Sequence, residues 1–167
     1  MPMAVSLMSE LSLSALTVAG GTLAIASMPG RGGNYADDLD LFGAFKPGLV
    51  ITMVSNAELE TDDLRQLGFD IQALGSRWAH VPVADMGVPD RRTEFAWSAA
   101  SKDARAALSG GGRVLVHCQA GCGRSGMAVL RLMVECGEAP EAALKRLRAV
   151  RPCAVETDAQ LAWAAGG

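Results

Sequence analysis

Val116-His117-Cys118-Gln119-Ala120-Gly121-Cys122-Gly123-Arg124-Ser125-Gly126 is the stretch on which the reading of this chain turns. Before it, Arg113–His117 is a short apolar run that follows a cluster of glycines, the pattern of a buried strand. After it, Ser125–Val134 is apolar nearly all round, the pattern of a central, buried helix. A strand that runs into a loop of small residues and then a helix can curl its N–H groups around an anion, and the helix N-terminus adds partial positive charge. Ala120, Gly121 and Gly123 let that backbone come close. Gln119, Ala120, Gly121, Cys122, Gly123 and Arg124 are therefore the expected phosphate-binding segment. Cys118 at the strand end and Arg124 at the helix start face one centre, where a guanidinium grips two phosphate oxygens in a fork that lysine cannot make.

The same setting activates the thiol. An ordinary cysteine is only about 3 % thiolate at neutral pH, whereas helix N-termini and cationic neighbours bring the thiol pKa down to ~3.5–7.5. Full ionisation gains about thirtyfold, roughly 2 kcal/mol. Larger contributions have to come from Arg124 and the amides around the transferred group, and from protonation of whatever leaves. Ser125 can donate a hydrogen bond to the Cys118 sulfur when the sulfur itself must leave. His117 either fixes the loop by hydrogen bonding or is a plain structural histidine.

Gly121-x-Gly123-x-x-Gly126 also matches the dinucleotide-binding fingerprint. That reading needs a following strand ending in an acidic residue about 20 residues on. Glu138-Ala139-Pro140-Glu141 stands there instead, a helix start, and a dinucleotide site has no use for Cys118 or Arg124.

Outward from the loop, strands alternate with helices. Ala15–Ala19 and Thr22–Ser27 flank Gly20-Gly21 as a β-hairpin. A loop from Met28 to Asn34, a short helix over Asp37–Phe45 and a buried strand over Leu49–Val54 follow. Asn56 is placed to cap a helix over Ala57–Leu67, and Arg77–Val83 alternates as a strand. Pro89-Asp90 opens a helix whose inward stripe is Trp97, Ala100, Ala104 and Leu108. Glu141–Val150 and Thr157–Trp163 close the chain as helices, and the basic run Lys145-Arg146-Leu147-Arg148 reads as a solvated face. The expectation is one α/β domain over residues 1–167, a central, mainly parallel, twisted sheet flanked by helices, with about the first ten residues disordered.

A net charge of −3 provides no global field for nucleic acid or an acidic membrane, so anion binding must be local. The four cysteines, Cys118, Cys122, Cys136 and Cys153, form no C-x-x-C pair, and with only His80 and His117 beside them no metal site is expected. A disulfide framework is not expected in a chain of this size, so reduced thiols and a cytoplasmic setting follow. Leu11–Pro29 is uncharged and Ala24-Ile25-Ala26 has the look of a signal-cleavage site, but no basic residue precedes Arg31 and Gly20-Gly21 interrupts the run.

His117-Cys118, five residues, then Arg124-Ser125 resembles the signature of the protein tyrosine phosphatase superfamily. Val81-Pro82-Val83-Ala84-Asp85-Met86-Gly87-Val88-Pro89-Asp90 resembles the general-acid loop of small dual-specificity phosphatases, in particular the subgroup related to the cyclin-dependent kinase inhibitor 3 phosphatase. Ser27–Arg31 and Arg151–Gln160 resemble the same subgroup. The resemblance implies a cysteine-phosphatase fold, no cofactor, and phosphorylated proteins as partners. It implies a cysteinyl-phosphate on Cys118 and Asp85 as the acid that protonates the leaving oxygen and then activates water. Asp90 is the rival carboxylate, better explained as a helix cap. Gln160 matches a pocket glutamine that orients the hydrolytic water, or is a surface helix residue.

The tryptophan-containing acid loop of longer tyrosine-specific enzymes is absent, which points to phosphotyrosine with phosphoserine and phosphothreonine as further substrates. Positions 119 and 122 are Gln and Cys where lipid phosphatases of this superfamily carry lysines, which disfavours inositol phosphates. Cys122 is a small filler or a redox partner, and Arg31 adds charge at the rim or is an exposed loop residue. The competing functions are a thiol-based oxyanion or redox enzyme such as an arsenate reductase, and a phosphate-binding pseudophosphatase.

Overall fold

The computed structural model describes residues 10–166, and the disorder expected for the first residues lies outside that range but for Glu10. Strands β1 (Leu13–Val18), β2 (Gly21–Ala26), β3 (Leu49–Thr52), β4 (Arg77–His80) and β5 (Arg113–His117) form one sheet in the order β1-β2-β5-β3-β4. Only the β1–β2 pair is antiparallel, and β5 lies between β2 and β3 with all three parallel. The carboxyl end of β5 is therefore flanked by two strands that end level with it, His117 pairing with Ala26 and with Thr52. Ligand sites of open parallel sheets form at such carboxyl ends.

The strands are short, and β2, β3 and β5 are buried on both faces, as expected of a sheet covered by helices. The longest helix, α4 (Arg91–Ser109), packs along β2, β3, β4 and β5 through the expected stripe of Trp97, Ala100, Ala104 and Leu108, all buried. Asp90 accepts the Thr93 N–H at 2.8 Å and caps this helix. Helix α5 (Gly123–Glu135) packs on β2 and β5 and is in turn covered by α6 (Pro140–Val150) and α7 (Asp158–Ala164). Ten of its thirteen residues are buried, from Gly123 to Met133, so the helix that starts at the loop is the core of the domain. Helix α1 (Tyr35–Phe45) sets Phe42 edge-on to the His117 ring.

Several boundaries differ from expectation for local reasons. The hairpin turns on Ala19-Gly20, both at positive φ, and not on Gly20-Gly21. Gly21 is a strand residue, and a side chain there would collide with the backbone of Leu108 and Gly112. The helix expected over Ala57–Leu67 is two: α2 (Asn56–Thr61) and α3 (Leu67–Ala73), broken at Asp63, which has φ 55°. Its cap is Ser55 and not Asn56, through a reciprocal capping box with Glu58. Strands β3 and β4 end earlier than their apolar runs, yet Met53 donates to the His117 carbonyl, Val81 to the Thr52 carbonyl and Val83 to the Met53 carbonyl, carrying the chain to the Asp85 loop in near-strand geometry.

Candidate active site

The loop from Cys118 to Arg124 leaves the end of β5 and enters α5. Cys118 is buried, its Sγ 3.1 Å from the Ser125 hydroxyl. The Cys118 carbonyl can only accept, so the His117 Nδ1–H donates to it at 3.3 Å, which fixes the tautomer of the neutral ring. His117 Nε2 then accepts from the Thr52 hydroxyl at 2.7 Å, whose oxygen accepts the Trp78 Nε1–H at 2.8 Å. Complete burial pushes the His117 pKa down to about 4, so the ring is neutral at working pH and serves as a brace. Of the two readings of His117, the loop-fixing one matches this geometry.

Arg151 organises the loop from behind. This buried guanidinium donates from Nε to the Gly121 carbonyl at 2.9 Å and from Nη2 to the Ala120 carbonyl at 3.3 Å, and reaches Ser12 and Ser14 on the hairpin side. In a trans peptide the N–H points opposite to the C=O. Pinning these carbonyls backward therefore turns the N–H groups of Gly121 and Cys122 toward the cleft. Gly121 has φ 75°, and a side chain there would strike Arg151 and the backbone of Ala26. The basic run on α6 is more than a solvated face: Arg148 donates to the carbonyls of Ala154 and Val155, holding the α6–α7 connection against the loop.

Arg124 is buried and held by a residue that sequence reading passed over. Its Nη1 donates to Glu58 Oε1 at 2.6 Å and to the Val83 carbonyl at 2.8 Å, and its Nη2 to Glu58 Oε2 at 3.0 Å. Burial works against the charge on Glu58, but hydrogen bonds from Arg124 and Ser55 outweigh it and bring its carboxyl down to about 2. Glu58 thus caps α2 and clamps the arginine at once. The Ser55-Asn56-Ala57-Glu58 capping signature is legible in the sequence, but nothing in it points to a partner 66 residues away.

Asp85 stands on the far side of Arg124, its Oδ1 3.6 Å from Nη2 and its side chain largely exposed. It lines a cleft of about 140 Å³ together with Arg31, Met86, Cys118, Arg124 and Glu156. Asp90 is outside that cleft, on the cap of α4. Gln119 also lines the cleft, its side chain donating to Asp62 at 2.8 Å and accepting from Arg31 at 3.4 Å. Gln160 is buried and committed: its Oε1 accepts the N–H groups of Glu156 and Thr157, and its Nε2 donates to the Gly87 carbonyl at 3.3 Å, tying α7 to the acid loop. It is not the surface residue that was one of its two readings.

The expectation of reduced thiols fails at Cys122 and Cys153, which form a disulfide, while Cys118 and Cys136 are free. Spacing could not reveal this pair. Arg151 and the Val155 N–H, which donates to the Cys122 carbonyl at 3.0 Å, dock the α6–α7 connection on the loop and bring the two Cα atoms to 5.1 Å. The bond closes a segment with a sequence separation of 31, so chain-entropy arguments assign it about 3–4 kcal/mol. Reduction by dithiothreitol, or Cys153→Ala, should lower the melting temperature by on the order of 10 °C, measured by thermal denaturation. Equal melting of oxidised and reduced protein would mean that the packing around Arg151 suffices without the bond.

Residues 27–138 match the family described as polymorphic toxin system, DSP-PTPase phosphatase. No curated protein matches the sequence. Among solved structures, the kinase associated phosphatase, in a form with its catalytic-site cysteine changed to serine, is similar with a TM-score of 0.80 at 21% identity, over 93% of each chain. Tk-PTP in its active form is similar with a TM-score of 0.69 at 27% identity, over 89% of this chain and 92% of that one. Human DUSP28 is similar with a TM-score of 0.63 at 20% identity, over 91% and 92%. The cysteine-phosphatase fold expected from the loop is the fold of this chain.

Proposed function

The chain belongs to the DSP-PTPase phosphatase family of polymorphic toxin systems and is a cysteine-based protein phosphatase, and on that footing we propose that it cleaves phosphotyrosine, and also phosphoserine and phosphothreonine, through a cysteinyl-phosphate on Cys118. The observation that carries this reading is the Cys118 thiol set beside Ser125 in a loop whose far end is Arg124, held by Glu58 and facing Asp85. In the first step the Cys118 thiolate attacks phosphorus while Asp85 protonates the departing oxygen. Arg124 and the loop amides from Gln119 to Gly123 hold the transferred group's equatorial oxygens, where charge accumulates. Ser125 supports the sulfur when the S–P bond breaks. No cofactor is required for these steps, because nucleophile, acid and cation all come from the chain.

The disulfide also bears on the redox alternative. An arsenate-reductase mechanism needs a resolving thiol for Cys118, and two of the three remaining cysteines are already bonded to each other. The narrow cleft, with Arg31 as the one arginine at its rim beside Arg124, suits a single phosphate on a protein side chain better than a polyphosphorylated inositol. We place its action in a cytoplasm, where phosphorylated proteins are found.

The test is hydrolysis of a panel of phosphotyrosyl, phosphoseryl and phosphothreonyl peptides and inositol phosphates by the pure protein, with and without thiol reductant. Turnover of phosphopeptides, fastest on phosphotyrosine, is expected. Tight binding of phosphopeptides with no release of phosphate would instead make the protein a phosphate-reading module, and preference for inositol phosphates would move the substrate to lipids.

A further inference from the structure

The loop that carries Asp85 turns sharply just after it. The Gly87 N–H donates to the Ala84 carbonyl at 2.8 Å, so Asp85 and Met86 are the central residues of a β-turn. Met86 has φ 64°, and a positive φ at the third position of a turn is the place that glycine or asparagine normally takes. A methionine there brings its Cβ against its own backbone, so local preference does not explain it. Packing does not explain it either, because Met86 is 51% exposed. Its side chain instead lines the catalytic cleft. Cys118 and Arg124 are buried at the base of that cleft, whereas Asp85 and Met86 are exposed, which places Met86 at the mouth. Among the described residues on the cleft wall, Arg31, Asp85, Gln119 and Glu156 are charged or polar, and Met86 is the one large apolar side chain. Backbone outliers persist where function uses them.

We propose that Met86 is a specificity-determining residue, which selects phosphotyrosine over phosphoserine and phosphothreonine by packing its thioether on the substrate's ring; the assignment rests on the phosphatase reading above. With the phosphate held between Cys118 and Arg124 at the base, the two kinds of ester fill the mouth differently. In phosphotyrosine an aromatic ring separates the phosphate oxygen from Cβ, so the ring lies at the level of Met86. In phosphoserine that oxygen is bonded to Cβ directly, so the substrate's own backbone has to descend to the same level and meets the Met86 side chain there. One side chain thus favours the aryl ester twice, by contact and by obstruction. An unbranched thioether suits the task, because it adapts its shape and its sulfur interacts well with aromatic rings. The charged groups around the mouth offer a ring no comparable apolar surface. The turn beneath Met86 is anchored: Gln160 Nε2 donates to the Gly87 carbonyl at 3.3 Å, and a Cβ on Gly87 would come within 2.9 Å of the Ala84 carbonyl oxygen. A ring held by Met86 also keeps its phenolic oxygen beside Asp85, the next residue along the chain and the acid that protonates it.

The test uses the full chain and compares kcat/KM for a phosphotyrosyl peptide and a phosphoseryl peptide of otherwise identical sequence. Met86→Asn keeps a residue that accepts the positive φ and removes the apolar contact. It should lower the phosphotyrosyl-to-phosphoseryl ratio about tenfold, mainly through a higher KM on the phosphotyrosyl peptide. Met86→Gly should lower the ratio as much, with a melting temperature no lower than wild type, because the turn no longer carries a Cβ. Met86→Leu, apolar and of similar size, should keep most of the ratio. An unchanged ratio in Met86→Asn, or equal losses on the two peptides in both the Asn and Gly variants, overturns the assignment, while a wild type that hydrolyses the peptides remains a phosphatase. A wild type that hydrolyses neither peptide overturns both readings.

Discussion

Cys118→Ser should abolish turnover on every phosphorylated substrate while leaving phosphopeptide binding intact. A serine hydroxyl is a far weaker acid and nucleophile than a cysteine thiol, so the nucleophile is lost outright. The cradle does not depend on the sulfur. Arg124 is held by Glu58 and the Val83 carbonyl, and the loop carbonyls are held by Arg151. Steady-state rates and calorimetric titration with a phosphotyrosyl peptide measure the two effects separately. Retention of more than a few per cent of the wild-type rate would rule out the covalent route, and loss of binding along with rate would mean that the thiolate shapes the loop.

Asp85→Asn should slow phosphopeptide hydrolysis by about a hundredfold to ten-thousandfold, the usual worth of general acid catalysis. A phenolate or alkoxide needs a proton to leave, whereas nitrophenolate leaves readily without one, so the loss on nitrophenyl phosphate should be much smaller. Asp90→Asn should leave the chemistry nearly intact, since that carboxylate is engaged with the Thr93 N–H at the start of α4. Pre-steady-state rates on both substrates decide the matter, and exchanged phenotypes would move the acid to Asp90.

The parts of this site that could be read from sequence are those that lie close together along the chain. The strand, loop and helix around Cys118 and Arg124, the stripe of α4 and the cap at Asp90 are local patterns with local causes, and each is found where the pattern puts it. What could not be read is held together by the fold. Glu58 carries a visible capping signature, but its second duty toward Arg124 exists only once α2 is laid beside the end of β5. Arg151, Cys153 and Glu156 share the α6–α7 connection, and their contacts with the loop arise because α5 and α6 fold that segment back beneath it. Gln160 is buried, not on the surface, and holds backbone groups on two sides, a commitment visible only with the Asp85 loop in place.

The Cys122–Cys153 bond gives this enzyme two sulfur requirements that oppose each other within one loop. The nucleophile works only as a thiol, so any oxidant threatens it, and thiol reagents are the ordinary protection. The same reagents, added in excess, open the bond that fastens the loop to its backing. Glutathione and thioredoxin in a cytoplasm pose the same dilemma. On the proposed mechanism, a bonded Cys122–Cys153 pair and a reduced Cys118 coexist only between two potentials, high enough to keep the pair joined and low enough to keep the nucleophile reduced.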